Sequence, residues 1–239
     1  MGPPGRRPDV VNAPDGRARR AAIADSVVAT GKGDDGTTGL LFGGPRIPKD
    51  DLRTEACGTV DEAVAALGLA RAELGAMQRD NGIPAALAAL PAMILRLQRE
   101  LFVVGAELAS NPDAWDRLTD DVTRVSEPML AGLEQALAEA EAGITMPTEF
   151  VVPGESRLSA ALELARTVTR RAERRAVTLR RDDLLAGEWL VPYLNRLADL
   201  LWTLGRVAEQ GEARSATMAR TEGRGCRSEA RARRSDATA

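Results

Sequence analysis

The sequence predicts an all-α protein, a bundle of five helices preceded by a glycine-rich loop. Residues that favour helix (alanine, leucine, glutamate and arginine) dominate the 239 positions, whereas aromatic residues make up only 3%. Apolar residues recur three and four positions apart along several segments, as in helices that pack on other helices. We expect no strand beyond short extended pieces near Val27 and Phe150.

Five segments carry this helical period. The first is predicted over residues 59–79, with a capping box in which Thr59 is the N-cap and Glu62 stands three residues later. The others are predicted over residues 84–110, 126–142, 156–181 and 191–210. The second helix shows a bundle seam most clearly, in Leu87, Leu90, Ile94, Leu97, Leu101, Val104 and Leu108.

The two ends of the chain differ in composition from its middle. Residues 1–24 are rich in proline, glycine and arginine and lack an apolar period, so we predict a disordered extension there. Residues 211–239 are predicted to form a disordered basic tail, which leaves residues 25–210 as the folded domain. Since no aromatic residues interleave with the tail arginines, solvated tails are a better explanation than nucleic-acid contact.

The absence of histidine excludes several kinds of active site. Neither a Ser-His triad, nor a histidine-ligated zinc site, nor a histidine general base can be built. No run of 18 apolar residues predicts a membrane span. The two cysteines, Cys57 and Cys226, indicate no disulfide framework. We therefore expect a cytoplasmic protein, and we assign no residue as a metal ligand.

Residues 30–39, TGKGDDGTTG, cannot form a helix because they contain four glycines, three threonines and two aspartates. Such a loop can cradle an anion with its backbone N–H groups, or it can be a flexible linker. Neither Lys32 nor Lys49 precedes a serine or threonine, so the segment does not match the P-loop pattern. If ATP binds here, it binds by another scheme.

The fourth helix carries a strip of charged residues. Arg166, Arg170, Glu173 and Arg174 lie at positions i, i+4, i+7 and i+8, on one side of the helix. Arginine presents a planar set of donors that suits phosphate oxygens, and a glutamate among them can orient an arginine or help to hold hydrated Mg²⁺. A solvated, salt-bridged helix face explains the same pattern, because the chain uses arginine far more than lysine throughout.

Six motifs follow one another along the chain: TGKGDDGTTGLLFGG, PKDD, EACGTVDEAVAALGLARAEL, LQRELFVVGAELA, FVVPGESRLSAALELARTVTRRAER and YLNRLADLLW. In this order they resemble a corrinoid adenosyltransferase of the propanediol-utilisation type, over residues 27–210. The resemblance implies the helical bundle of that family, usually a homotrimer with active sites between subunits. It also implies transfer of the 5′-deoxyadenosyl group of ATP, with Mg²⁺, to the cobalt of cob(I)alamin, which gives adenosylcobalamin and triphosphate.

The resemblance further implies roles for individual residues. The loop residues implied to contact the ATP phosphates are Thr30, Lys32, Gly33, Asp34, Gly36, Thr37 and Thr38, with Lys49 of PKDD. The helical residues implied to line the nucleotide are Arg170, Arg171, Glu173, Arg174 and Asn195. Asp61 would pair with Arg166 across the subunit interface, and Phe150 would lie under the corrin ring and exclude a lower ligand from cobalt.

Four positions depart from the family pattern. They are Gly31 in place of lysine or arginine, Cys57 in place of tyrosine, Glu155 in place of glycine and Glu163 in place of histidine. The basic residue of the loop comes one place later, as Lys32. Glu163 lies one turn before Arg166, so it can compete with Asp61 for that arginine.

The implied reaction agrees with a chain that lacks histidine, because cobalt(I) is itself the nucleophile and no proton has to be removed. Two other functions stay open at this point. A non-catalytic bundle that carries a corrinoid or ATP would explain the shifted Lys32, and a basic-tailed nucleic-acid binder would explain the arginines of residues 211–239. Hand-off of the product to an adenosylcobalamin-dependent mutase is also open.

Overall fold

A computed structural model describes residues 26–220, and it confirms the predicted five-helix bundle. The helices are α1 (Leu52–Asp80), α2 (Leu90–Leu108), α3 (Glu127–Ala142), α4 (Arg157–Arg181) and α5 (Leu190–Gly211). Two 3₁₀ helices, Ala85–Leu87 and Pro112–Arg117, flank α2. The predicted extension over residues 1–24 and the part of the predicted tail beyond Arg220 lie outside the described residues.

Helix α4 packs between α1 and α5, while α2 packs on α1 and α3 on α5. The predicted seam of α2 is buried, from Leu87 to Leu108, and so is the stripe of α5 formed by Leu194, Leu197, Leu201 and Leu204. Burying one such leucine contributes about 1.5–3 kcal/mol to the free energy of unfolding. No helix in the described part of the chain is both long and apolar enough to cross a membrane.

The start of α1 differs from the prediction. The helix begins at Leu52, and its N-cap is Asp51, whose carboxylate accepts a hydrogen bond from the Arg53 N–H. Thr59 is buried inside the helix, where its hydroxyl donates to the Glu55 carbonyl oxygen at 2.8 Å. The predicted capping box at residues 59–62 is therefore wrong, because a threonine can bond to its own helix as well as cap one.

The starts of α3 and α4 agree with the prediction, since Ser126 and Ser156 are their N-caps. The second helix begins later than predicted, because residues 85–87 form a 3₁₀ turn and Leu90 is the first residue of α2. The residue before a proline disfavours helical backbone, and prolines flank this turn at positions 84 and 91.

Two short antiparallel strand pairs join segments that the sequence leaves irregular. Strand β1 (Thr37–Thr38) pairs with β2 (Ile47–Pro48), and β3 (Val151–Val152) pairs with β4 (Thr217–Met218). Strand β3 lies where an extended piece is predicted, next to Phe150, but residues near Val27 belong to no strand. Because α5 reaches Gly211 and β4 follows it, the predicted start of the disordered tail at residue 211 is wrong for residues 211–220.

A buried glutamate fixes two loops to the end of α2. Glu107 accepts hydrogen bonds from the Val125 N–H at 2.7 Å and from the Gly187 N–H at 3.0 Å, one on each carboxylate oxygen. Burial raises the pKa of Glu107, while these two hydrogen bonds act in the opposite direction. The loops before α3 and before α5 are thus held together through one side chain.

We expect Glu107→Gln to lower the free energy of unfolding by roughly 1–3 kcal/mol, because an amide offers one acceptor where the carboxylate serves two N–H groups, one buried and one partly buried. Urea unfolding followed by circular dichroism measures the change. Glu139→Gln, on the exposed side of α3, is the matched control. A loss no larger than that of the control would contradict the assigned role of Glu107.

Candidate functional site

A cleft of about 740 Å³ opens beside α4 and α5. Helix α4 contributes Arg166 and Arg170 to its lining, and α5 contributes Asp199 and Trp202. The segment before α4 contributes Phe150, whose side chain is 81% exposed. An exposed aromatic ring beside two cations is a surface suited to a ligand that is partly apolar and partly anionic.

The register of α4 against α5 determines which predicted residues lie together. Glu163 of α4 contacts Arg206 of α5 at 3.2 Å, and Ser156 before α4 contacts Glu212 after α5, so the two helices run antiparallel. Arg170 is therefore level with Asp199, in agreement with their shared place in the cleft. One turn further along, about 5.4 Å away, Arg174 is level with Asn195. Both of these side chains are exposed.

The arginines of α4 divide between two surfaces. Arg170 faces the cleft and lies 3.9 Å from Glu173, a loose contact. Arg171 pairs with Glu62 of α1, and Arg175 pairs with Glu55 of α1 at 3.2 Å. The structure thus places Arg171 on the side of α4 that packs on α1, whereas its predicted neighbours at the nucleotide lie toward the cleft or solvent.

Arg166 pairs with a residue of its own helix. Its Nε donates to Glu163 at 2.6 Å, which confirms that Glu163 can compete for this arginine. Asp61, the other predicted partner, lies on the exposed side of α1, one turn after Cys57. Burial raises the pKa of the Cys57 thiol, and the charge of Asp61 adds to the effect. A thiol of this kind is a weak nucleophile at neutral pH.

The glycine-rich loop is closed by two basic residues. The Lys49 ammonium lies against Gly33, where a Cβ atom would stand only 2.8 Å from Nζ. Arg46 donates to the Lys32 carbonyl oxygen at 2.7 Å and to the Thr37 carbonyl and hydroxyl oxygens at 2.8 and 2.7 Å. The loop is therefore a structured hairpin, and Lys49 lies beside it.

An aspartate inside the hairpin strengthens the turn. Asp35 accepts hydrogen bonds from the Thr37 N–H at 2.9 Å and the Thr37 hydroxyl at 2.8 Å, which hold its pKa below the ordinary value. The predicted loop residues Thr30, Lys32, Asp34, Gly36 and Thr38 belong to the same hairpin or precede it, and most of them are exposed. Their side chains and backbone are therefore open to a ligand.

The hairpin and the cleft are separate within the chain. No residue of 30–49 lines the cleft, and the hairpin is attached to the end of α2, where Leu41 N–H donates to the Ala109 carbonyl oxygen at 2.8 Å. The structure thus brings together Phe150, Arg166 and Arg170, but it does not bring the loop residues to them in one copy of the chain.

The sequence analysis missed several residues of the two sites. They are Arg46 in the hairpin and Glu149, Asp199, Trp202 and Arg220 in the cleft. Of these, only Asp199 could have been found from the sequence, because it lies four residues after Asn195 and therefore on the same side of α5. Among residues 26–220, no group of three or more acidic or cysteine side chains could hold a metal ion.

The sequence profile of the cobalamin adenosyltransferase family matches residues 28–208 of this chain. A corrinoid adenosyltransferase from Citrobacter freundii is 40% identical over 182 residues, 76% of this chain and 94% of the relative. A corrinoid adenosyltransferase from Bacillus subtilis is 38% identical over 178 residues, 74% of this chain and 84% of the relative.

Solved structures agree with these relatives. A variant PduO-type ATP:corrinoid adenosyltransferase from Lactobacillus reuteri, complexed with cobalamin and ATP, superposes with a TM-score of 0.68 at 27% identity, over 80% of this chain and 98% of that one. Another variant from the same organism, complexed with ATP, gives a TM-score of 0.68 at 26% identity, over 81% of this chain and the whole of that one. The predicted fold type is confirmed by this similarity.

We expect Arg46→Ala to loosen the hairpin, because three hydrogen bonds from one cation are lost together. Amide hydrogen exchange at residues 32–38 should accelerate at least about tenfold, equivalent to roughly 1.4 kcal/mol. Mass-spectrometric exchange measures this directly. Arg79→Ala, at the exposed end of α1, should leave the same amides unchanged. Equal exchange in both variants would show that Arg46 does not hold the hairpin.

Proposed function

The chain belongs to the cobalamin adenosyltransferase family, and we propose that the cleft beside α4 and α5 is where it joins ATP to a corrinoid. It is an ATP:corrinoid adenosyltransferase, which transfers the adenosyl group of ATP to corrinoid cobalt. The proposal that the active site lies in this cleft rests on one observation: Arg166, Arg170 and the exposed ring of Phe150 line the same cleft. No specific observation favours a non-catalytic carrier.

The reaction requires positioning more than proton transfer. Cobalt(I) of the reduced corrinoid attacks the 5′ carbon of ATP, the carbon–oxygen bond breaks, and triphosphate leaves with the electron pair. Because no proton moves, a chain without histidine can catalyse this step. Holding the two reactants in line can supply about 7–11 kcal/mol of the barrier in favourable cases.

The departing triphosphate carries the charge that the protein must stabilise. Arg170 and Arg174, with Asn195 level with the latter, supply donors along one side of the bundle. Lys49 and the backbone of the glycine-rich hairpin supply a second set. Donors fixed in advance around the phosphates cost little reorganisation as the charge develops.

The separation of hairpin and cleft within one subunit supports an assembly in which they come from different subunits. We therefore propose a homotrimer with a site at each interface, where the hairpin of one subunit completes the cleft of its neighbour. Exposed apolar side chains on α1 and α4, Leu69 and Leu164, and Phe102 on α2 offer surface for such contacts. Asp61, exposed on α1, can then reach Arg166 of the adjoining subunit.

Phe150 provides an apolar surface that cannot donate an axial ligand to cobalt. A corrin lying on this ring would lose its lower ligand, and a metal without that donor is reduced to cobalt(I) more easily. The backbone of Phe150 is held in place, because its carbonyl oxygen accepts a hydrogen bond from the Ala219 N–H at 2.7 Å.

The residues present also fit Mg²⁺ bound together with ATP. Magnesium keeps several waters and takes only one or two carboxylates besides phosphate oxygens, so a protein cage is not needed. Glu173 on α4 and Asp34 in the hairpin are the carboxylates that would hold it. When bound, the ion neutralises part of the triphosphate charge.

We expect Arg170→Ala to lower turnover at least about tenfold, or roughly 1.4 kcal/mol of transition-state stabilisation, because a phosphate donor is lost. The assay is anaerobic: reduced cobalamin and ATP are mixed, and the cobalamin absorbance and released triphosphate are followed. Arg180→Ala, on the same helix but outside the cleft lining, is the control. Wild-type turnover in the Arg170 variant would refute the phosphate role.

We expect Asp61→Asn to weaken assembly or ATP binding, since the charge that faces Arg166 across the interface is removed. Light scattering gives the mass of the assembly, and calorimetric titration gives the affinity for ATP. Asp80→Asn, at the exposed end of α1, serves as the control. If mass and titration both match the wild type, the interface pair does not exist.

A further inference from the structure

Four charged side chains form a continuous series that begins in the lining of the cleft, at Arg166 and Glu163, and continues between α4 and α5. Arg166 Nε donates to Glu163 Oε2 at 2.6 Å, and Arg206 Nη1 lies 3.2 Å from Glu163 Oε1. Arg206 also donates to both oxygens of Glu209, at 2.7 and 2.8 Å. Positive and negative groups alternate, so the series as a whole is neutral.

Three members of this series are buried inside the bundle. Glu163 is 4% exposed, and Arg206 and Glu209 are each 1% exposed. Removing an ion from water costs several kcal/mol, and well-packed apolar residues of similar volume often stabilise a core as well or better. The stability of the bundle therefore does not account for charges at this place, and their contacts with cleft residues point to a role there.

The contact with Glu163 occupies only one edge of the Arg166 guanidinium. Within the described residues, the two terminal nitrogens of Arg166 make no hydrogen bond, and this side chain lines the cleft. Glu163 therefore fixes the direction of the guanidinium and leaves its other donors free. Arg206, on the far side of Glu163, also stacks 5.3 Å from the ring centre of Trp202, another lining residue.

We propose that Glu163 is a positioning residue, which turns the terminal nitrogens of Arg166 toward an anionic oxygen in the cleft. Two sources of that oxygen follow from the proposed function, on which this inference rests: a phosphate of ATP, or the Asp61 carboxylate of a neighbouring subunit. Arg206 fixes the second oxygen of Glu163 in turn. Glu209 neutralises Arg206 and does not touch Arg166.

Glu163→Gln and Glu209→Gln form a matched pair that tests the proposal. Each removes one buried negative charge at nearly constant volume, and each leaves Arg206 with one charged partner fewer. Both should lower the melting temperature, but only Glu163→Gln weakens the hold on Arg166, because one amide oxygen then serves two arginines. We expect the KM for ATP to rise about tenfold in Glu163→Gln, as for loss of a charged hydrogen bond, and to stay within about twofold in Glu209→Gln.

The two sources of the anionic oxygen give different results. If the partner is a phosphate, the KM for ATP changes while the mass by light scattering does not. If it is Asp61 of a neighbouring subunit, Glu163→Gln also shifts the mass toward single subunits at low protein concentration. Equal KM values in the two variants, or wild-type KM and mass in Glu163→Gln, would overturn the proposal.

A double-mutant cycle distinguishes the loss of positioning from a general folding defect. In an Arg166→Ala background, Glu163→Gln should have no further effect on the KM for ATP, because the side chain that it positions is gone. A further rise of the same size would show that Glu163 acts by another route. The wild-type rate of adenosyl transfer separately tests the proposed function, so failure of one is distinguishable from failure of the other.

Discussion

The rest of the site depends on the fixed orientation of α4 about its own axis, which decides which residues face the cleft. One side of the helix buries leucines and alanines in the core. A second side pairs Arg171 and Arg175 with glutamates of α1, and Glu163 pairs with Arg206 of α5. These contacts together permit one orientation, and only in that orientation do Arg166 and Arg170 face the cleft. A shift of one residue would turn the strip by about 100°.

Much of the fold could be predicted because an amphipathic helix shows a local period of apolar residues in the sequence. The apolar seams of α2 and α5 are buried as expected, and Ser126 and Ser156 are caps because their hydroxyls meet free N–H groups. The start of α1 was not predictable in this way, since Asp51 and Thr59 are both plausible caps in sequence. Strands of two residues are too short to show alternation, so β1, β2 and β4 left no signal.

The site was predictable where spacing alone determines geometry. Arg166 and Arg170 share a side because they are four residues apart on one helix. The position of the glycine-rich hairpin relative to α4 depends on contacts between distant segments, and no local pattern reports it. Arg206 and Glu209 carried a weak signal, as opposite charges three residues apart in a helix whose stripe is otherwise apolar. Their burial became visible only when α5 was packed on α4.

The pairing of β3 with β4 has a consequence for the order in which the protein is made. Phe150 precedes α4 in the chain, but the strand that anchors it follows α5 and leaves the ribosome after all five helices. A nascent chain can therefore assemble the apolar core while the aromatic wall of the cleft is still unanchored. The aromatic wall of the cleft is in this sense completed late in biosynthesis, when a two-residue strand emerges.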